Sequence, residues 1–235
     1  MFLNIPDRIF FESETYSKMI QQNEGGLDWT FELNKNSSDH INLWVSDNKL
    51  NKTNYITIST DTKTDRNITI GVKLKQNGTI MYNYHHEIEL LFENNATNVG
   101  LYYPKLKHFK KGDTDFKLNI TNYGNSTPVC NVAMNNWDGF QSVGMVFSGN
   151  ALVEMSINDF APDTTWSYAV VRGHKLGSGT NLIHRTIDNV VKPITFTHND
   201  REIEVIMKPT EKLFYTHNNT NPGGFGITSI QFYNK

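Results

Sequence analysis

The chain has 235 residues, a formal net charge of -2 and a pI near 6.4, a balance that excludes the clustered Lys/Arg excess needed to bind a phosphate backbone. Its one basic run, KLKHFKK at 105–111, reads as a solvated loop or strand edge. Cys130 is the single cysteine, so no intramolecular disulfide forms, and its place after Pro128-Val129 in a β-like run reads as a small buried hydrophobe.

No stretch approaches the roughly 18 to 20 apolar residues of a membrane span. The start, MFLNIPDRIFFES, lacks a basic n-region and carries Asp7 and Arg8 where a secretion signal runs apolar. No recognisable secretion signal is therefore expected. Asn-X-Ser/Thr triplets recur from Asn36 to Asn218, as chance produces in an Asn- and Thr-rich chain.

In chain order, the first expected element is a short N-terminal helix. Ser13 can cap it, Tyr16, Met19 and Ile20 recur at i, i+3 and i+4, and Gly25-Gly26 ends the run. A helix of about ten residues is marginal by itself in water, so 1–25 is expected to be an arm that docks on the rest of the chain or on a partner subunit.

Beyond Gly26 the period changes to two. In NITIGVKLK, Ile68, Ile70, Val72 and Leu74 alternate with Thr69, Gly71, Lys73 and Lys75, which predicts a strand with one face on a core and one in water. Asn77-Gly78 follows, a turn pair that tolerates the positive φ of a type I′ hairpin, and Ile80, Tyr82 and Tyr84 resume the alternation.

The phrase FKKGDTDFKLNITNYGNSTPV, from Phe109, has a turn at Lys111-Gly112-Asp113-Thr114, an alternating strand through Phe116, Leu118 and Ile120, and a second turn at Asn122-Tyr123-Gly124-Asn125. A further strand, Val129 to Val132, follows Pro128. Over 109–132 this order of turn, strand, Asn-x-Gly-Asn turn and post-proline strand resembles the Ig-like β-sandwich modules of bacterial surface and adhesion proteins. The resemblance implies an Ig-like fold and a role in adhesion or assembly.

Val143, Met145 and Phe147 lead into Gly149-Asn150 and out through Val153, Met155 and Ile157, the grammar of a second hairpin. TWSYAVVRG, REIEVIMKP and GITSIQFYN predict further strands; in the last, Ile227, Ser229 and Gln231 oppose Thr228, Ile230 and Phe232, which leaves its inward face open. Short strands punctuated by Gly, Pro and Asn, without helical patterns between them, predict an all-β protein of antiparallel β-sandwich architecture with two Ig-like or jelly-roll-like lobes. The polar seam Asn135-Asn136-Trp137-Asp138-Gly139 divides these as 26–135 and 136–235, with one continuous sandwich as the alternative.

Residues patterned for chemistry are few. His85 and His86 are strand neighbours and point to opposite faces, so they do not share an ion. Glu202 and Glu204 share a face, but Ile203 and Val205 take the other, which puts the acids in water rather than in a glycosidase pocket. There is no Gly-x-Ser-x-Gly elbow and no phosphate loop; Gly177-Ser178-Gly179-Thr180 lacks the following Lys and helix. No catalytic residue, metal or cofactor is expected.

Aromatic rings beside Asn, Asp and Arg suit sugars, because a ring face covers the C–H side of a pyranose while planar polar groups meet its hydroxyls. The candidates are Trp137 and Asp138 in the seam; Trp166, Tyr168, Arg172 and His174 along one strand and turn; and Tyr215, Asn218, Asn219, Asn221 and Phe225 in an expected loop, YTHNNTNPGGF. Each also has a structural reading, with Trp166 as core and the late segment as a flexible hairpin.

The sequence thus predicts a non-enzymatic structural or attachment protein, a virion or tail component or a surface adhesin. It would act by assembly as a homo-oligomer or with other structural subunits, and by contact with cell-surface glycan, on a virion or extracellular surface. The alternatives are a carbohydrate-binding lectin domain and a β-sandwich glycoside hydrolase or lyase that uses Glu202.

Overall fold

The computed structural model describes residues 3, 5–21, 28–35, 40–50, 54–102, 119–122, 129–133, 143–177, 182–187, 190–195 and 203–235. The chain divides into two compact units, Met1–Thr97 and Asn98–Lys235. The seam expected at 135–139 lies outside the described residues. Among the described residues, regular structure is β apart from single-turn 3-10 segments at Glu93–Asn95 and Ile157–Phe160, so the all-β class expected from the alternation holds.

The first unit contains β1 (Arg8–Phe11), β2 (Thr15–Gln21), β3 (Trp29–Lys35), β4 (Ile41–Val45), β5 (Asn54–Thr60), β6 (Arg66–Gln76) and β7 (Thr79–Phe92). A four-stranded sheet runs β1-β7-β6-β3 and a three-stranded sheet runs β2-β5-β4. All pairs are antiparallel except β1 with β7. Every strand contributes to one buried core: Ile9 and Phe11, Ile20, Phe31, Ile41, Ile56 and Ile58, the β6 row from Ile68 to Leu74, and Ile88, Leu90 and Phe92. The apolar faces of the two sheets therefore cover each other, as a two-layer sandwich requires.

The predicted β6–β7 hairpin is present. Asn77 has φ 49 and Gly78 φ 80, the positive values that a type I′ turn demands.

The expected N-terminal helix is absent: Thr15–Gln21 is a strand paired antiparallel with β5. Tyr16 and Ile20 stand four apart, an even number, and so share a face in a strand as well as in a helix. Tyr16 packs against the core and Ile20 lies inside it, while Thr15, Tyr16 and Ile20 belong to the β-branched and aromatic types that strands favour. Leu3, Ile5, Ile9 and Phe11 are also in this core. On the outward side of β1, Arg8 Nε meets Glu89 Oε2 at 2.9 Å, with the Arg8 side chain 5% exposed.

The second unit is built on one nine-stranded sheet. Its strands are β8 (Thr97–Tyr102), which begins on the last residue of the first unit, then β9 (Asn119–Asn122), β10 (Val129–Ala133), β11 (Val143–Ser156), β12 (Tyr168–Gly177), β13 (Leu182–Ile187), β14 (Val190–Thr195), β15 (Ile203–Met207) and β16 (Lys212–Asn234). The 23-residue β16 is its spine. Along one edge it pairs with β11; along the other it pairs first with β13 and then with β12, beyond which lies β15. Strands β9 and β10 both pair with β11.

Two expectations change here. The hairpin predicted at Gly149-Asn150 is instead the middle of the continuous, 14-residue β11. Its register against β16 shifts between Phe147 and Gly149, which face Gly223 and Asn219. Pro222 falls inside that irregularity, where its missing N–H breaks no ladder bond. The predicted loop 215–225 is likewise strand, because β11 on one side and β13 and β12 on the other satisfy most of its backbone.

Consecutive residues Tyr168, Ala169, Val170 and Val171 are buried, as are Val205 to Met207 and Ile230 to Tyr233. Both faces of the sheet are covered at that end, which explains why alternation alone does not orient the last strand.

At Gly173 a Cβ would lie 2.0 Å from the carbonyl oxygen of Gly226. Gly173→Ala is therefore expected to destabilise the second unit by several kcal/mol, on the order of a core overpacking or more, as read by chemical denaturation. In the first unit, Ile58→Ala is expected to cost about 2–5 kcal/mol. Deletion of 1–21 is expected to abolish that unit's cooperative unfolding, seen as loss of dispersed amide signals.

Candidate functional site

Alternation in the three-stranded sheet decides which side chains remain available. Ile41, Ile56, Ile58 and Ile20 are turned to the core, with Leu43, Val45 and Tyr16 packed at its margin. The other parity, Asn42, Trp44 and Ser46 on β4 and its end, Tyr55, Thr57 and Ser59 on β5, and Thr15 and Ser17 on β2, must face outward. Trp44 is 70% exposed and Tyr55 47%.

The register sets these groups side by side. Trp44 lies opposite Thr57, and Thr57 lies opposite Ser17, with Ser17 Oγ and Thr57 Oγ1 3.0 Å apart in a hydrogen bond. Tyr55 is diagonal to Trp44 across the same strand pair, a separation of about 7–8 Å. Its strand position is pinned by Ser46 N donating to Tyr55 O at 3.1 Å and by Tyr55 N donating to Ser46 Oγ at 2.9 Å. The outward positions named above carry no charged side chain.

The outward side of the four-stranded sheet differs. There Glu32 Oε2 accepts from Lys75 Nζ at 3.0 Å, Glu32 Oε1 lies 3.6 Å from Lys73 Nζ, and Asn34 Nδ2 donates to Glu32 at 2.9 Å. The hydrogen bond from Asn34, then that from Lys75 and the charge of Lys73, lower the Glu32 pKa from 4.5 to about 2. This is a solvated ion network.

A second aromatic pair sits at the β6–β7 hairpin. The rings of Trp29 and Tyr82 stack with centroids 6.3 Å apart at 21°, and Ile80 and Met81 beside them are each 51% exposed. The register shifts at Leu74/Lys75, where Leu74 faces Tyr82 and Lys75 faces Ile80, so the ladder skips Met81.

The residues singled out from sequence fall elsewhere. Trp137 and Asp138 lie outside the described residues. Trp166 is buried, donates from Nε1 to Asn158 Oδ1 at 3.2 Å and meets Phe232 edge-on. Tyr168 is buried and stacks on Tyr233. Arg172 Nε donates to Glu204 Oε2 at 3.0 Å, so Glu204 is held by a guanidinium on the neighbouring strand. His174 is in register with Gly226, beside Phe225, which pairs with Lys175. Tyr215, Asn218 and Asn219 are farther along β16, opposite Val153, Asn150 and Gly149. Asn221 lies where the β11 register is interrupted. The pairing thus sets His174 and Phe225 at neighbouring register positions of opposite parity, so it does not join them on one face, and leaves Tyr215 and the asparagines at another part of the strand.

Of the histidine pair, His85 is exposed, and His86 is half-buried with Nε2 3.2 Å from Pro6 O and 3.3 Å from Asp7 Oδ1. The two rings point to opposite faces as alternation requires. Among the described residues no group of three His, Cys, Asp or Glu is placed to hold a metal ion, and no helix is long and apolar enough to cross a membrane.

No protein-family model and no curated protein matches the chain. Among solved structures, the secreted serine protease VesC from Vibrio cholerae aligns over 96% of this chain and 49% of its own, at 6% identity and a TM-score of 0.28; the chain spans about half the length of that protein. A carbohydrate-binding module from the β-sandwich superfamily, described for its promiscuous specificity, aligns over 94% of this chain and 99% of its own, at 12% identity and a TM-score of 0.32.

Trp44→Ala and Tyr55→Ala are each expected to change unfolding free energy by less than about 0.5 kcal/mol, the range of exposed substitutions, in chemical denaturation. For Glu32, whose folded pKa lies below its ordinary value, the pairing is complete above pH 4.5 and lost as pH falls through about 2. An NMR titration of its carboxyl is expected to show a midpoint near 2, rising toward 4.5 in Lys75→Ala.

Proposed function

We propose that this is a non-enzymatic attachment protein whose first unit binds glycan through the outward face of β2-β5-β4. One observation carries the reading: Trp44, 70% exposed, stands with Tyr55 on a sheet face that otherwise presents hydroxyls and an amide, with Met19 registered against Tyr55. Tryptophan is on average a highly buried residue, and burying it would stabilise the fold by a few kcal/mol. Packing does not explain its position, whereas sugar binding does. An indole or phenol face covers the C–H side of a pyranose, while Asn42 and the Ser and Thr hydroxyls can donate to and accept from the ring hydroxyls that the contact desolvates.

A second reading, assembly with other subunits, is favoured by a different feature, the exposed Ile80 and Met81 next to the Trp29–Tyr82 pair. Apolar and aromatic groups of that kind are enriched in subunit contacts. The two readings combine in an attachment protein displayed on a virion or a cell surface.

Affinity electrophoresis in gels containing polysaccharide, with a glycan array beside it, tests the proposal. The wild-type protein is expected to be retarded, and Trp44→Ala to lose about tenfold in affinity, as expected for one lost stacking contact. Trp137→Ala and Tyr215→Ala are expected to bind as the wild type does. Binding that survives Trp44→Ala and fails in Tyr215→Ala would move the site to the second unit and overturn the assignment.

A further inference from the structure

The geometry points to a neutral, extended polysaccharide, bound along its ring faces, as the ligand of the Trp44 face; this rests on the glycan reading above. Charge comes first. Uronates, sialates and sulfated sugars are met by Arg or Lys, whose hydrogen bonds to carboxylate or sulfate are charge-assisted. Among the described residues, the outward positions around Trp44 supply Asn42, Ser46, Tyr55, Thr57 and Ser17, with Met19 registered against Tyr55, and no cation. Lys73 and Lys75 lie on the outward side of the other sheet, both engaged with Glu32.

Shape comes second. A terminal sugar is recognised in a pocket that surrounds it, but an indole 70% exposed is not surrounded. Trp44 and Tyr55 project from neighbouring strands at diagonal positions, a platform that meets successive units of one chain and is indifferent to its ends.

Size comes third. Three strands of five to seven residues, spaced about 4.8 Å apart and rising about 3.4 Å per residue, present a footprint of roughly 15 Å by 20 Å. That is about 300 Å², well short of the roughly 800 Å² per partner in a stable protein interface. The face is too small for a second copy of the chain and large enough for a few sugar rings.

The full chain would be mixed with insoluble cellulose and chitin, with soluble neutral β-glucan, and with the polyanions polygalacturonate and heparin. Expected is depletion by at least one neutral polymer that changes less than about twofold between about 50 and 500 mM NaCl, since no ion pair is screened. Depletion is further expected to fall about tenfold in Trp44→Ala and to recover in part in Trp44→Phe, which restores a ring face. Free glucose and N-acetylglucosamine are expected not to compete. Trp44-dependent retention on polyanions alone, lost with salt, would overturn the ligand class and leave the glycan reading standing. Competition by a free monosaccharide would overturn the extended mode of binding in the same way. No retention on any polymer would overturn both readings. Because Trp44 is exposed, circular dichroism is expected to show all variants folded, so each outcome reports on binding.

Discussion

The first unit depends on one constraint: two sheets must bury a single core between them with side chains of period two. Ile56 and Ile58 on β5 share that core with Ile70 and Val72 on β6, and removing this surface from water is the main force that holds the sandwich together. A strand that commits one parity inward has no choice about the other. Once Ile41, Leu43 and Val45 turn toward the core, Asn42, Trp44 and Ser46 must turn away. The exposed aromatic pair is therefore positioned by isoleucines on the opposite face of its sheet.

The same constraint produces a second outward face, on β1-β7-β6-β3, and the two faces diverge in chemistry. Glu32, Lys73 and Lys75 form an exposed network that contributes little to stability. It keeps that side wet. Arg8 and Glu89 differ because the Arg8 side chain is 5% exposed, where loss of Glu89 would take a paired charge from beside a buried guanidinium. Against this charged side, the neutral face of the smaller sheet is a departure in composition that neither solubility nor packing requires.

Local signals carried part of the fold. NITIGVKLK and Asn77-Gly78 were readable because alternation and turn chemistry agree within a few residues and no distant strand overrides them. Thr15–Gln21 misleads because Tyr16 and Ile20 fit either period, and only pairing with β5 selects the strand. Gly149-Asn150 and the Asn-, Pro- and Gly-rich 215–225 carry turn chemistry, yet long pairing between β11 and β16 absorbs both. The outward position of Trp44 is legible in INLWV by the same alternation that reveals β6. Its partners Tyr55 and Thr57, however, arrive from another strand, so no single run of sequence spells out the pair of rings.

Mounting the rings on strands has a consequence for binding. The backbone ladder of β5, flanked by β2 and β4, holds both attachment points, and Trp and Tyr side chains have only two torsions each to order. In the proposed binding, little conformational entropy would be lost when a sugar stacks on them. Two stacking contacts on a face of about 300 Å² still supply only modest affinity by themselves. A polymer of repeating units offers the same contact many times, and several copies of the protein on one surface would each engage one, raising avidity by orders of magnitude without any new contact. Weak, repeated and salt-insensitive contact of the kind proposed would suit attachment, and it would connect the platform of the first unit with the surface display proposed for the whole chain.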